Sequence, residues 1–334
     1  MIRNLTLACA FTLALFSSAP LLNRADVVNL SPRLRPGQLI SYRIDYTSDT
    51  QTQTRSSVVT PQAPENPHIE FRVLLHLEVL SVEPQGPRAL IHARAHLQVL
   101  APITPAANTR SSAQPTPPAA SPLQSPDSAN PAKSVAFTLQ PDGHVDQLQG
   151  LDALDAAQRT AWQEWAARFA ATGLFPANGV KPAEKWKSEQ PEQSPSPIAK
   201  LTWQRQTTYI DNEPCRPFVM TPQRDTVESD QPASSCAVLV TVATLKQNSS
   251  PKDSTPEDFR LHQLRTQGIA RGANKTVLYI SLETGLLVRA TEDASQAMDV
   301  TVAKSDGTNS VHYDVTAKSR CEVLLLVENS LPSH

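Results

Sequence analysis

Residues 71–99 read FRVLLHLEVLSVEPQGPRALIHARAHLQV, and their alternation decides the fold. Phe71, Val73, Leu75, Leu77 and Val79 fall on one phase, and Arg72, His76 and Glu78 on the other. A turn containing Pro84, Gly86 and Pro87 follows. Ile91, Ala93, Ala95, Leu97 and Val99 then alternate with His92, Arg94, His96 and Gln98. A period of two with one apolar and one wet phase predicts an antiparallel hairpin with a single buried face. Two registers suit the pattern. If paired numbers sum to 172, His76 meets His96 and Glu78 meets Arg94; if they sum to 170, Glu78 meets His92.

Upstream, QLISYRIDY (38–46) repeats the beat, with Ile40, Tyr42, Ile44 and Tyr46 on one phase and Ser41, Arg43 and Asp45 on the other. Downstream, VAFTLQPDGHVDQL (135–148) reads as strand, Pro-Asp-Gly turn, strand. The period then changes. Leu151, Leu154, Gln158, Ala161, Trp165 and Phe169 recur at three and four, with Trp162 beside them and Gly173 closing, so 151–172 is predicted to be an amphipathic helix. Strands are expected again at 183–189, 201–210, 236–246, 275–282, 286–292, 297–303, 310–318 and 321–328. Turns fall at Glu283-Thr284-Gly285 and Ser305-Asp306-Gly307, and polar loops around 190–197, 222–235 and 247–258. The fold class is therefore mainly β: a large curved antiparallel sheet, half-barrel-like, with one helix packed on it. No short repeat supports a propeller or solenoid.

Four segments divide the chain. Residues 1–25 carry Arg3, an apolar run from Leu5 to Phe16 and small residues at Ser17 to Ala19. That is the layout of a signal peptide, cut near 19 or 25, and the run falls short of the ~20 residues of a spanning helix. Residues 26–100 form an N-terminal hairpin module. Residues 101–133 are rich in Pro, Ala, Ser and Thr with little to bury, so a disordered insert is expected there. Residues 134–330 supply the helix and the rest of the sheet. The processed chain is expected to be periplasmic or secreted and not an integral membrane protein.

Charge and motifs exclude several classes. Lysine and arginine number 30 against 32 acidic residues, a net charge of −2 with no basic field for nucleic acid. The chain holds 29 prolines and 10 glycines, a balance that favours rigid loops over glycine-built phosphate cradles. It contains no G-x-S-x-G elbow, no H-E-x-x-H and no Walker loop. Ser249-Ser250-Pro251-Lys252 matches S-x-x-K only in a polar loop, and the Asp211/Glu213 and Asp142/Asp146 pairs sit at turns where carboxylates are ordinary. No cofactor is expected, and the reading is non-enzymatic.

Outside the N-terminal segment three cysteines remain, and an oxidising compartment would pair two of them. Cys215 and Cys236 flank one loop and are the chosen pair. Cys321, beside the apolar run 323–327, reads as a buried small hydrophobe. His76, His92 and His96 are the metal candidates. They compete with a solvated strand face laced by cross-strand ion pairs, and His92 and His96 lie ~13 Å apart along one strand at ~3.3 Å per residue. The helix aromatics Trp162, Trp165 and Phe169, with Tyr42 and Tyr46, are the candidate apolar-ligand residues. The same stripe also serves as a docking face against the sheet.

One resemblance follows from these features. The exported N-terminus leads to Pro36-Gly37 entering a tyrosine strand, then Asp142-Gly143-His144-Val145 and the single helix. Pro182-Ala183-Glu184-Lys185-Trp186 and Leu282-Glu283-Thr284-Gly285-Leu286 complete the order. It resembles periplasmic half-barrel proteins of the lipoprotein-carrier type and similar secreted β proteins. The likeness spans about 36–328 and departs where Ala183 replaces the glycine expected before Glu-Lys-Trp. It implies a bent sheet around a helical plug and an apolar ligand or lipoprotein as partner. The alternative is a structural or interaction module of the cell envelope with a packed core.

Overall fold

The computed structural model describes residues 27–56, 68–85, 88–100, 134–140, 145–154, 162, 175–176, 178–192, 196–221 and 225–327. The expected signal segment, the 101–133 insert, the Pro-Asp-Gly turn, Trp165 and Phe169 lie outside the described residues. The strands are β1 (Leu39–Ser56), β2 (His68–Gln85), β3 (Arg88–Leu100), β4 (Ser134–Leu139), β5 (Val145–Gln149), β6 (Lys185–Pro191) and β7 (Leu201–Cys215). After them come β8 (Phe218–Met220), β9 (Thr226–Glu228), β10 (Ser234–Gln247), β11 (Leu264–Ser281), β12 (Leu287–Lys304) and β13 (Val311–Leu326). A five-residue helix, α1 (Glu257–Leu261), precedes β11.

All thirteen strands belong to one sheet, with the order β5-β4-β3-β2-β1-β13-β12-β11-β10-β7-β6 and the small β8–β9 hairpin off this path. Neighbours along the path pair antiparallel, and β5 and β6 are its two edges. The large open antiparallel sheet expected from the alternation is thus the observed architecture. Lysines and Pro191 on the edge strand β6 disfavour further pairing there.

Hairpin β2–β3 adopts the 172 register: His76 faces His96 and Glu78 faces Arg94. The pairing that would set Glu78 against His92 does not occur, and beyond a bulge between Val79 and Ser81 the register steps by one, so that His92 stands opposite Ser81.

Several expected strand limits need correction. The segments 286–292 and 297–303 are one strand, β12, and 310–318 and 321–328 are likewise one, β13. β1, β7 and β11 extend well beyond 46, 210 and 275. In each case the apolar beat fades while the backbone ladder continues, since a strand with neighbours on both sides keeps its hydrogen bonds whatever its side chains. The loops expected at 222–235 and 247–258 contain β9 and α1. Both expected glycine turns form. Gly285 joins β11 to β12 at φ 68°, and a Cβ there would collide with the Ser31 carbonyl oxygen, so no larger residue fits.

Of the predicted helix, the described residues are a 3-10 turn at Leu151–Ala153, Leu154 and the helical Trp162. Trp162 is fully buried and meets Phe137 of β4 edge-on, with ring centroids 6.0 Å apart. It belongs to the largest core cluster, formed by the apolar phase of β1 to β4 together with Leu34, Leu154 and Cys321. The side of the sheet carrying this cluster is called the inner face below.

The outer face is covered locally. β8 touches β13 through Phe218 and Leu326, and Phe218 and Met220 pack on Leu74, Leu100 and Leu326. Arg43, 7% exposed, donates to Thr226 Oγ1 of β9 at 2.7 Å, and Asp45 accepts from both Arg43 and Arg72. Cys215 and Cys236 form a disulfide at the base of this β8–β9 strap, with Cα atoms 5.8 Å apart.

Candidate functional site: two rows on the inner face

Strand register lines up residues across the sheet, and two adjacent rows of the inner face differ sharply in chemistry. The first runs Ile44, Val323, Ala290, Leu278, Leu239, Tyr209 from β1 to β7. Every member is apolar or aromatic. The next row, two residues along, runs Tyr46, Cys321, Glu292, Thr276, Thr241, Thr207 and ends on Trp186 of β6.

The polar row is buried and hydrogen-bonded. The Thr207 and Thr241 hydroxyls are 2.8 Å apart. Thr276 Oγ1 donates to Asn274 Oδ1 at 2.9 Å, with Glu292 Oε2 at 3.4 Å. Glu292 is 7% exposed and Arg205, one row further, 9%. Arg205 donates to Gln190 Oε1 at 3.1 Å, and its guanidinium carbon lies 6.0 Å from the centroid of the Trp203 ring. Burial pushes the Arg205 guanidinium below its ordinary value, against the opposing pull of Glu292 and Glu192. An apolar strip bordered by a few placed polar groups is the usual lining of a site for an amphiphilic ligand.

The structure brings three of the five candidate ligand residues into one neighbourhood. Tyr42 and Trp162 lie in the main core cluster, and Tyr46 packs against it half-buried. Burial pushes the Tyr42 phenol far above its ordinary range. Leu287 and Val323 touch both this cluster and the second one around Tyr209, Leu239 and Leu278, so apolar contact is continuous along the face. The polar row was missed from the sequence. Its signal was present: Thr241 falls on the phase of Leu239 and Ala243, where an apolar residue is expected.

Cys321 is 5% exposed and stands between Tyr46 and Glu292 in the register, a buried position outside the disulfide.

All three histidines lie on the outer face, with His92 apart from the other two. His92 lies 3.2 Å from Glu83 Oε1 through Nε2 and 3.2 Å from Thr138 Oγ1 through Nδ1. His76 and His96 face each other across β2 and β3. Among the described residues no three His, Cys, Asp or Glu side chains converge as a metal-ligand group. Two shallow concavities, of about 480 and 570 Å³, also open on the outer face. Lys275, Asp293 and Arg320 line one, Lys187 and Gln206 the other, and Val242 both; their mixed charge and openness do not suit an acyl chain.

No described helix is long and apolar enough to cross a membrane. No family model and no curated protein matches the chain. Among solved structures, similarity is found to a predicted lipoprotein of Parabacteroides distasonis ATCC 8503, at 10% identity and a TM-score of 0.25 over 90% of this chain and 98% of that one. OpdQ of Pseudomonas aeruginosa is similar at 8% identity and a TM-score of 0.18, over 86% and 98% of the two chains.

Proposed function

We propose that this chain is an exported, non-enzymatic β protein of the cell envelope that holds an acyl-bearing ligand, or the acyl chains of a lipidated partner, between the inner face of the sheet and the Trp162 segment. The apolar row from Ile44 to Tyr209, bordered by the buried Thr, Glu292 and Arg205 positions, carries this reading. The strip would take the hydrocarbon and the polar border would orient whatever polar group the chain bears. The Cys215–Cys236 disulfide supports a periplasmic or secreted location, since disulfides persist in oxidising compartments, and the Leu5–Phe16 run supplies a route there. The ligand residues are then Tyr42, Tyr46 and Trp162, with Trp165 and Phe169 further along the same predicted helix.

Full burial of Trp162 against Phe137 favours a second reading, an envelope interaction module whose interior is filled by its own side chains. Lipid extraction from natively purified protein, followed by mass spectrometry, separates the two. A stoichiometric acyl species supports the carrier. An empty extract, with no response to fluorescent fatty acids, leaves the packed module.

A further inference from the structure

We propose that the stretch Val27–Pro36, VVNLSPRLRP, is an autoinhibitory cord that occupies the apolar row in place of a ligand and leaves it when an acyl chain binds; this rests on the acyl reading above. Leu30, 2% exposed, clusters with Tyr209, Leu239, Leu278 and Ala290, four of the six residues of that row. Leu34 is also buried and clusters with Ile44, the residue at the row's other end, and with Tyr42. Arg33 and Arg35 are exposed. The cord therefore gives its leucines to the row and keeps its arginines in water. Two glycines admit its backbone. Gly179 and Gly285 both have positive φ, and a Cβ would press on the Val28 carbonyl oxygen at the first and on that of Ser31 at the second.

The cord is tied down more lightly than a strand. Val28 and Val180 exchange backbone hydrogen bonds of 2.8 and 2.9 Å as an isolated bridge, and the Arg33 N–H donates to the Thr284 carbonyl at 2.7 Å. Pro32 and Pro36 have no N–H to donate. A segment with so sparse a ladder opens at lower cost than the sheet beneath it. Val27 is exposed, so peeling can start from that end without breaking a strand pair. An acyl chain offers the row the same apolar contact as Leu30 and Leu34, and the two compete for one surface. A row that is free only while the cord is off binds with an affinity lowered by the fraction of molecules in that state, so loosening the cord raises the affinity.

The test uses the chain from Asp26 onward, the product of the later expected cut, with palmitate as the probe. Hydrogen exchange followed by mass spectrometry should show residues 27–35 exchanging faster at saturating palmitate while β2 and β3 stay protected. Leu30→Ala, and a second chain that starts at Ser31, should bind palmitate about tenfold tighter than the parent, as read by displacement of a fluorescent fatty acid. Equal affinities with unchanged exchange at 27–35 overturn the cord's displacement and leave the acyl reading standing. Weaker binding by both variants makes the cord a wall of the site and overturns its role as a competitor. No palmitate binding by any of the three chains overturns the acyl reading, and the displacement falls with it.

Discussion

The apolar and polar rows of the inner face lie two residues apart on the same strands, yet they do different work. Ile44, Val323, Ala290, Leu278, Leu239 and Tyr209 expose almost nothing that water would hydrogen-bond. Their neighbours bury Thr207 and Thr241, bonded to each other, and Thr276, bonded to Asn274 with Glu292 at 3.4 Å. Burial of polar groups is tolerated only where partners are supplied, and here side chains of the same and the adjacent row supply them. The inner face is therefore amphiphilic by construction. The apolar row stabilises through area removed from water, whereas the polar row adds little net stability and fixes where polar atoms sit.

Substitutions across the two rows sharpen that contrast. Trp162→Ala, at the apolar end, should cost about 4 kcal/mol of unfolding free energy, as for other fully buried tryptophans, and urea denaturation followed by circular dichroism would read it. A loss below ~1 kcal/mol would mean that the tryptophan is not the core anchor its burial indicates. Leu239 and Thr241 allow a comparison on one strand and one phase. Leu239→Ala should cost about 3 kcal/mol, and Thr241→Val about 1 kcal/mol through the lost Thr207 contact. Equal losses would erase the distinction between the rows.

The Tyr42 phenol gives a pH signature. Because burial raises its folded-state value above the unfolded one, its contribution is fully present below about pH 10 and declines as pH rises above that, at about 1.4 kcal/mol per pH unit. Tyr42→Phe should remove this slope, as read from melting temperatures between pH 9 and 11 for the two proteins. An unchanged slope would show that the phenol ionises in contact with water.

The smallest expected effect lies where the apolar row reaches the sheet edge. Ala183 donates its backbone N–H to the Tyr209 carbonyl while held at φ 67°, in the left-handed region. Ala183→Gly should stabilise by about 0.5–1 kcal/mol, because only glycine adopts that conformation without a Cβ penalty. Destabilisation by this substitution would show that the alanine methyl packs usefully. The position is the one at which the resemblance to half-barrel proteins implies a glycine.

Legibility in the sequence followed the chemistry of the rows. The β2–β3 hairpin and the start of β1 could be read because one phase there is an unbroken run of Ile, Leu, Val, Ala and the aromatics Tyr42, Tyr46 and Phe71. β12 and β13 read as two strands each, interrupted at 293–296 and 319–320, because the polar Glu292, Gln296 and Ser319 fall on the phase of the inner-face residues and silence the beat. Gly268, Gly272 and Asn274 hid the first half of β11 in the same way. The β8–β9 strap was invisible because three-residue strands carry no period at all. Of the candidate site, the aromatics were named from spacing. The Thr, Glu292 and Arg205 border was not, because a polar residue in a buried phase reads as an interruption until the register shows its partners.

Methyl-labelled Ile, Leu and Val resonances, followed by NMR during titration with a long-chain fatty acid, test the amphiphilic inner face most directly. Shifts concentrated at Ile44, Val323, Leu278 and Leu239, saturating together, are the expected outcome. Shifts only at Ile210 and Val242 of the outer face, or none at saturating fatty acid, would contradict it.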